Sequence, residues 1–111
     1  MGVISWDDFA KVDVRVGRIV AAAAFPEARK PAIKLTIDFG ALGTRRSSAQ
    51  LTKRYRPEAL VGRQVVAVMN FPPKRIAGLL SEVLVLGVMA EDDDVVLLQP
   101  DQDVPLGTRI A

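Results

Sequence analysis

Two dense apolar runs stand out in the pattern of hydrophobic and polar positions, at residues 65–69 and 83–86. Both are short, rich in aliphatic residues and bounded by polar, Gly or Pro positions, which is typical of buried strands. The connection between them, residues 70–82, contains polar, cationic and proline residues. Because rigid strands commonly present such loops to ligands, we predict that this connection takes part in binding.

Alternation of apolar and polar residues predicts further strands that bury one face. The alternation is clearest at residues 33–39; it is also present at residues 12–16 and slips at Gly17 and Arg18, where we predict a glycine bulge. The alanines at 21–24 favour neither helix nor strand. The remaining predicted strands are a third one with a polar face at residues 44–55, one at 95–98 after an acidic turn at 91–94, and a short last one at 108–110.

Two short helices are also predicted. Ser5 and Asp8 have the spacing of a capping box, which indicates a helix from residue 6 to about residue 11. Pro57 and Gly62 bracket one further helical turn, because proline suits the start of a helix and glycine its end. With five to seven short strands, these elements predict an all-β fold, a closed or partly open antiparallel barrel that forms one domain over residues 1–111.

The two apolar runs carry apolar residues on both faces, whereas barrel strands with one wet face alternate. Their outer face therefore needs a cover. The candidates are the N-terminal helix with Trp6 and Phe9, the C-terminal segment, or a second copy of the chain. A homodimer is one expected solution, since a symmetric apolar patch is commonly buried in a dimer.

Composition narrows the classes of function. The chain has 111 residues, half of them hydrophobic, and it contains neither Cys nor His. Disulfides and thiolate metal sites are therefore excluded, and the commonest general base is missing. No phosphate-loop or dinucleotide glycine pattern occurs, and the acidic turn lacks the spacing of a calcium loop. We expect a non-catalytic protein with no cofactor and no metal.

The distribution of apolar residues also bears on the cellular location of the protein. No apolar run approaches the roughly 18 residues of a membrane span, and the N-terminus has no basic region followed by an apolar core. We expect a cytoplasmic protein without membrane insertion.

Charge is divided unevenly along the chain. Residues 1–75 contain 14 Lys and Arg against six Asp and Glu, whereas residues 76–111 contain one against seven. The first part therefore has a net charge of +8 and the second of −6. This asymmetry favours an anionic partner for one surface, although charge also serves simply to keep a small protein soluble.

Several blocks resemble one known family: DFAKVDVRVGRI at residues 8–19, FPEARKP at 25–31, KLTIDFG at 34–40, RSSAQLTKRY at 46–55, VGRQVVAVMNFPPKRIAGLLSEVLVLG at 61–87 and VPLGTRI at 104–110. Together they resemble the CsaA family of export-associated chaperones, within the tRNA-binding OB-fold domains that are also appended to some aminoacyl-tRNA synthetases. The resemblance implies a five-stranded Greek-key OB-fold barrel with a short terminal helix and extra C-terminal strands. It also implies a homodimer, tRNA binding, and affinity for unfolded or presecretory polypeptides.

The resemblance further implies which side of the barrel contacts RNA. In the wider family an Asn, a proline with basic residues and a Ser-x-x-Met element mark that side. The matching positions here are Asn70, Pro73, Lys74, Arg75 and Ser81, with Leu84 where the methionine stands.

The third predicted strand and its exit carry most of the remaining candidates. Cations there could follow phosphates, hydroxyl and amide groups could contact base edges or 2′-hydroxyls, and Tyr55 could stack on a base. The alternative is a solvated strand whose arginines pair with carboxylates, and Asn70 and Ser81 could equally cap their turns. The full predicted nucleic-acid-binding set is Lys30, Lys34, Arg45, Arg46, Ser47, Ser48, Gln50, Lys53, Arg54, Tyr55, Asn70, Lys74, Arg75 and Ser81.

Two ligand classes therefore stay open at the level of sequence. One is an unfolded or presecretory polypeptide, bound by a protein-export chaperone. The other is tRNA or structured RNA, bound by a module that acts alongside a translation enzyme. A third hypothesis is an interaction module that docks on another protein and delivers it to RNA.

Overall fold

The computed structural model describes all 111 residues, and strands are its main regular secondary structure. Two short α-helices, α1 and α2, and one 3₁₀ turn at Gly40–Leu42 complete it. The elements in chain order are α1 Trp6–Ala10, β1 Val14–Ala24, β2 Ile33–Asp38, β3 Thr44–Ala49, α2 Pro57–Leu60, β4 Gln64–Val68, β5 Lys74–Ile76, β6 Leu79–Ser81, β7 Leu84–Val85, β8 Gly87–Glu91 and β9 Asp94–Leu97.

Five strands form a nearly closed antiparallel barrel in the order β3-β2-β1-β4-β7. Because β3 also contacts β7, each end of this order meets the other, which is the strand order of an OB-fold barrel. Strand β1 is long enough to pair with β4 through Val14–Arg18 and with β2 through Arg18–Ala24. The predicted all-β OB-fold is confirmed, and β8 and β9 form the extra C-terminal hairpin.

The barrel interior is filled by the inward residues of the alternating strands. In β2, Ile33, Leu35 and Ile37 are each at most 1% exposed, as the alternation predicted. Gly17 faces the same core: an added Cβ there would lie 2.6 Å from both Ile37 Cγ2 and the Phe39 ring. The predicted bulge at Gly17 is wrong, because the register shift lies between Ile19 and Ala21 and the glycine serves close packing.

The C-terminal segment covers the outer face of β1 and β4. Val14, Val66 and Val68 form a second apolar cluster, against which Leu86 and Ile110 pack. The buried Gln64 amide holds the segment in place by donating to the Val104 carbonyl and accepting from the Val104 N–H. The chain's own C-terminal segment is therefore one cover of the outer apolar face, as one of the three predicted alternatives had it.

Helix α1 begins as predicted and does not cover the barrel. The Ser5 hydroxyl accepts from the Asp8 N–H, and the Asp8 carboxylate accepts from the Ser5 N–H. No residue of α1 is buried, and Trp6 is 90% exposed. Neither helix is long and apolar enough to cross a membrane.

Three predicted strands differ from the structure. Of the short last one at residues 108–110, only Arg109 pairs, as an isolated bridge with Arg15. The third strand ends at Ala49 rather than Tyr55, because Leu51 turns inward and the chain then forms a turn. The apolar run 83–86 is not one strand: only Leu84–Val85 pairs with β4, and Leu84 is 49% exposed. The connection at 70–82 is more regular than predicted, since β5 and β6 form a hairpin.

Candidate nucleic-acid interface

Strand β3 and the segment 81–83 close the barrel, and we call their contact the barrel seam. The Arg46 N–H donates to Glu82 Oε1 at 3.0 Å, and the Glu82 N–H donates to the Arg46 carbonyl at 2.8 Å. Beside this pair, the Ser48 N–H donates to the Ser81 hydroxyl at 3.2 Å. Side-chain oxygens of Ser81 and Glu82 therefore accept from backbone N–H groups at the edge of β3, where a neighbouring strand would otherwise pair.

The outer face of β2 and β3 presents polar side chains on one surface. Lys34 lies opposite Ser48, and Thr36 lies opposite Arg46. Because side chains alternate between the two faces of a strand, Lys34, Arg46 and Ser48 share this outer side. This is the sheet face that OB-folds use for oligonucleotides.

The connection 25–31 and the β5–β6 hairpin form the walls of a groove beside this face. The groove has a volume of about 560 Å³, and its polar lining includes Lys30, Ser48, Gln50, Lys74 and Arg75. A neighbouring depression adds Lys34 and Arg46, with Glu27 between the two. We call this surface the cation groove, defined by Lys30, Lys34, Arg46, Ser48, Gln50, Lys74 and Arg75.

The five cations that define the cation groove form no ion pair, and neither does Arg29, which also lines it, whereas five other cations of the chain do. The paired ones are Lys11, Arg15, Arg18, Arg54 and Arg109. Lys34 Nζ instead lies 5.3 Å from the centroid of the Phe25 ring, which still leaves its charge without a neutralising carboxylate. Cations without ion pairs therefore converge on the cation groove, where Glu27 is the one carboxylate of the lining, and this excess of positive charge favours an anionic ligand.

Arg45 and Ser47 do not belong to the cation groove. They lie opposite Ile37 and Leu35 on the inner side of β3. Ser47 is 2% exposed and its hydroxyl donates to the Val83 carbonyl at 2.9 Å, while Arg45 donates to the Leu42 and Thr44 carbonyls. The prediction that Arg45 and Ser47 share the nucleic-acid-binding face with Arg46 and Ser48 is wrong, because neighbouring residues of a strand point to opposite sides.

Lys53, Arg54 and Tyr55 lie in the turn after β3 and are engaged with the C-terminal hairpin. Arg54 makes a two-point contact with Asp94, with N···O distances of 2.5 and 3.0 Å. This hydrogen bonding lowers the pKa of the Asp94 carboxyl below its ordinary value and raises the pKa of Arg54. Lys53 Nζ donates to the Asp92 carbonyl, although Lys53 also lies at the edge of a depression that contains Lys30 and Gln50.

Tyr55 is likewise occupied. Its hydroxyl accepts from the Leu97 N–H at 3.1 Å, its ring packs against the core, and the Arg63 guanidinium lies 5.3 Å from the ring centroid. The predicted stacking role has no support in this geometry. Asn70 has both amide groups engaged, since Oδ1 accepts from the Asp13 N–H at 2.9 Å and Nδ2 donates to the Lys11 carbonyl at 2.6 Å.

One exposed aromatic residue was not among the sequence candidates. Phe71 is 51% exposed and lines a depression together with Ser48, Gln50, Lys74 and Ser81. Its position directly before two prolines, inside the predicted binding connection, was the available signal. No group of three or more His, Asp or Glu side chains is placed to hold a metal ion.

Comparison with known proteins places this geometry in a family. Residues 14–109 match the family model described as "Putative tRNA binding domain". This chain belongs to the tRNA-binding domain family. The crystal structure of the chaperone CsaA from Bacillus anthracis is similar to it, with 57% identity, a TM-score of 0.95, and coverage of 99% of this chain and 100% of that one. The family resemblance predicted from the sequence, to CsaA-type tRNA-binding domains, is confirmed.

Two further relatives are similar to this chain. A CsaA chaperone from Picrophilus torridus is 48% identical with a TM-score of 0.89, over 98% of this chain and 100% of that one. The methionine–tRNA ligase of Methanococcoides burtonii is 38% identical over 108 residues, which is 97% of this chain but 16% of the ligase. The chain thus spans about one-sixth of the length of the ligase that it matches.

Proposed function

We propose that this protein is a cytoplasmic, non-catalytic module, one domain over residues 1–111, that binds tRNA through the cation groove. The observation that carries the proposal is the set of five cations without ion pairs that line the cation groove, Lys30, Lys34, Arg46, Lys74 and Arg75. Membership of the tRNA-binding domain family supports tRNA as the anion. Lysine and arginine contacts to phosphates would supply most of the affinity.

Binding to tRNA titrated with salt tests this proposal. Neutralising phosphates releases counterions, so the logarithm of the affinity should fall linearly with the logarithm of the salt concentration. Lys74→Gln and Arg75→Gln should each weaken binding and reduce the slope by about one. Lys11→Gln is the matched control, since Lys11 pairs with Asp8 on α1 and does not line the groove. A slope near zero for the unmodified protein would contradict the proposal.

A second candidate function is a protein-export chaperone for unfolded or presecretory polypeptides. The 57% identity to a CsaA chaperone over the full length of that chain supports it. The depression lined by Phe71, Ile76 and Leu84 offers apolar surface that could contact apolar segments of a guest chain. Suppression of the aggregation of an unfolded preprotein that persists at high salt would support this function, and its loss in salt would oppose it.

We also propose that the protein is a homodimer. Helix α1 buries none of its residues within one chain, although Trp6 and Ile4 are large and apolar. A second copy would bury such a patch symmetrically. Size-exclusion chromatography with light scattering measures the mass directly, and Trp6→Glu should convert the dimer to monomer, because it would place a charge in the apolar contact. A monomer for the unmodified protein at micromolar concentration would refute the dimer.

A further inference from the structure

The backbone on both sides of Phe71 is restrained, beside the cation groove. The preceding residue, Asn70, is anchored by hydrogen bonds to Asp13 and Lys11. The two following residues are Pro72 and Pro73, whose rings fix the backbone φ angle. A backbone segment restrained in this way loses little conformational freedom when a ligand binds beside it. Phe71 is nevertheless 51% exposed, and its ring therefore has an open surface that the core does not use.

The surroundings of Phe71 combine the groups that recognise a nucleotide. The depression that it lines has a volume of about 340 Å³, within the range of small-ligand sites. Lys74 and Gln50 line both this depression and the cation groove, so the two are continuous. Lys74 is exposed and can meet a phosphate, and the exposed Gln50 amide can donate to or accept from a base edge.

The other aromatic rings of the chain are not available at this surface. Phe25 lines the groove but is 4% exposed, and Tyr55 hydrogen-bonds to Leu97 and packs on the core. Trp6 and Phe9 line a separate depression at α1. Phe71 is therefore the one aromatic ring with an open face beside the cation groove. The one carboxylate in its depression, Glu82, accepts from the Arg46 N–H.

We infer that Phe71 is a stacking platform for one unpaired base of the bound RNA, with Lys74 on the adjoining phosphate and Gln50 at the edge of the base. This inference rests on the proposed RNA-binding function and names the part of the RNA that the groove takes. A single-stranded segment can splay a base onto an aromatic ring, whereas the bases of a duplex are stacked on each other. The site thus selects loops and single-stranded ends.

The test compares Phe71→Leu with Phe71→Tyr, using a short single-stranded oligoribonucleotide and a duplex RNA. Phe71→Leu keeps an apolar side chain of similar size but removes the ring, and it should weaken single-strand binding by about tenfold, the effect of losing one base stack. Phe71→Tyr keeps the ring and should bind like the unmodified protein. Duplex binding should be equal for all three. Phe9→Leu is the control for loss of an exposed aromatic residue outside the groove.

The salt slope of Phe71→Leu and the affinity of Lys74→Gln separate the failure of this inference from the failure of the proposed function. Phe71→Leu removes no charge, so its salt slope should equal that of the unmodified protein, whereas Lys74→Gln should lower the slope by about one. If Lys74→Gln weakens binding and Phe71→Leu does not, RNA binding stands and the stacking role is refuted. If neither RNA binds the unmodified protein, the proposed function itself is refuted.

A fluorescent variant gives direct evidence of contact. In a Trp6→Phe background, Phe71→Trp places the one tryptophan of the chain at the site, and a base stacked on the indole should quench its emission as the oligonucleotide is added. Unchanged emission at saturation would overturn the inference. So would a Phe71→Leu variant that binds RNA normally but no longer binds an unfolded polypeptide, since that result would assign the ring to a peptide contact.

Discussion

The backbone N–H of Arg46 donates to the carboxylate of Glu82 over 3.0 Å, while the Arg46 side chain faces the cation groove. Glu82 is thus both a hydrogen-bond acceptor in the barrel seam and a negative charge near the positive surface. On the RNA-binding surface proposed above, a carboxylate would be unfavourable beside phosphates. Its contact with the edge of β3 gives a structural reason for its presence.

Substitution of Glu82 separates these two effects. Glu82→Ala leaves the Arg46 N–H without its acceptor and should lower the free energy of unfolding by about 1 kcal/mol. Glu82→Gln keeps an oxygen acceptor, so it should be closer to the unmodified protein in stability and, having lost a negative charge, should bind RNA more tightly at low salt. Denaturant unfolding and salt-titrated binding measure the two quantities. Equal stability of both variants would contradict the seam role.

The neighbouring serines of β3 provide a matched pair. Ser47→Ala removes the donor to the buried Val83 carbonyl and should cost about 1 kcal/mol of unfolding free energy, with no effect on the RNA affinity of the folded protein. Ser48→Ala changes a side chain in the cation groove, while its backbone N–H can still donate to Ser81. It should therefore leave stability unchanged and weaken RNA binding. The reverse pattern would show that our assignment of the two faces is wrong.

Asn70 is expected to act through structure. Asn70→Ala removes two hydrogen bonds that join the end of β4 to the exit of α1, and should lower the free energy of unfolding by about 1–2 kcal/mol. The Asp13 N–H loses its acceptor, so its hydrogen exchange should accelerate relative to amides of the barrel core. A variant with unchanged Asp13 exchange but reduced RNA binding would instead indicate that Asn70 contacts the ligand.

The contact between Arg54 and Asp94 predicts an acid-sensitive contribution to stability. Because the pKa of Asp94 is lower in the folded protein than in the unfolded chain, the unfolded chain binds more protons between the two values. The contribution is therefore present above the unfolded pKa and is lost as the pH falls through the folded value. Unfolding of the protein and of Asp94→Asn should differ near neutral pH and converge in acid. A difference that is independent of pH would exclude this ion pair as its source.

The pattern of the sequence predicted the barrel because the core strands obey simple rules. The alternation of β2 and the capping box of Ser5 and Asp8 both depend on near neighbours, and both occur as predicted. The end of β3 was misjudged because Gln50 to Tyr55 continue a polar pattern after the chain has turned. The turn depends on Leu51 packing into the core, a contact distant in sequence.

The site was predicted only in part, for two different reasons. Alternation along β3 is a local rule, and it places Arg45 and Ser47 on the opposite side from Arg46 and Ser48. The partners of Arg54 and Tyr55 lie about 40 residues further on, in β9, and no local pattern indicated them. Phe71 was not predicted as a binding residue, because phenylalanine is commonly buried and a single one after a buried strand does not indicate exposure.

The attachment of the C-terminal segment has a consequence for any shortened form of this protein. Strand β1 accepts from Ile110 and donates to Thr108 through its main chain, on the side not paired with β4. A chain cut before Val104 would leave that edge open, and would uncover Val14, Val66 and Val68 beside it. An open strand edge next to exposed valines is a template for intermolecular pairing. Truncation there should therefore produce aggregates, even though every residue of the main barrel core precedes the cut.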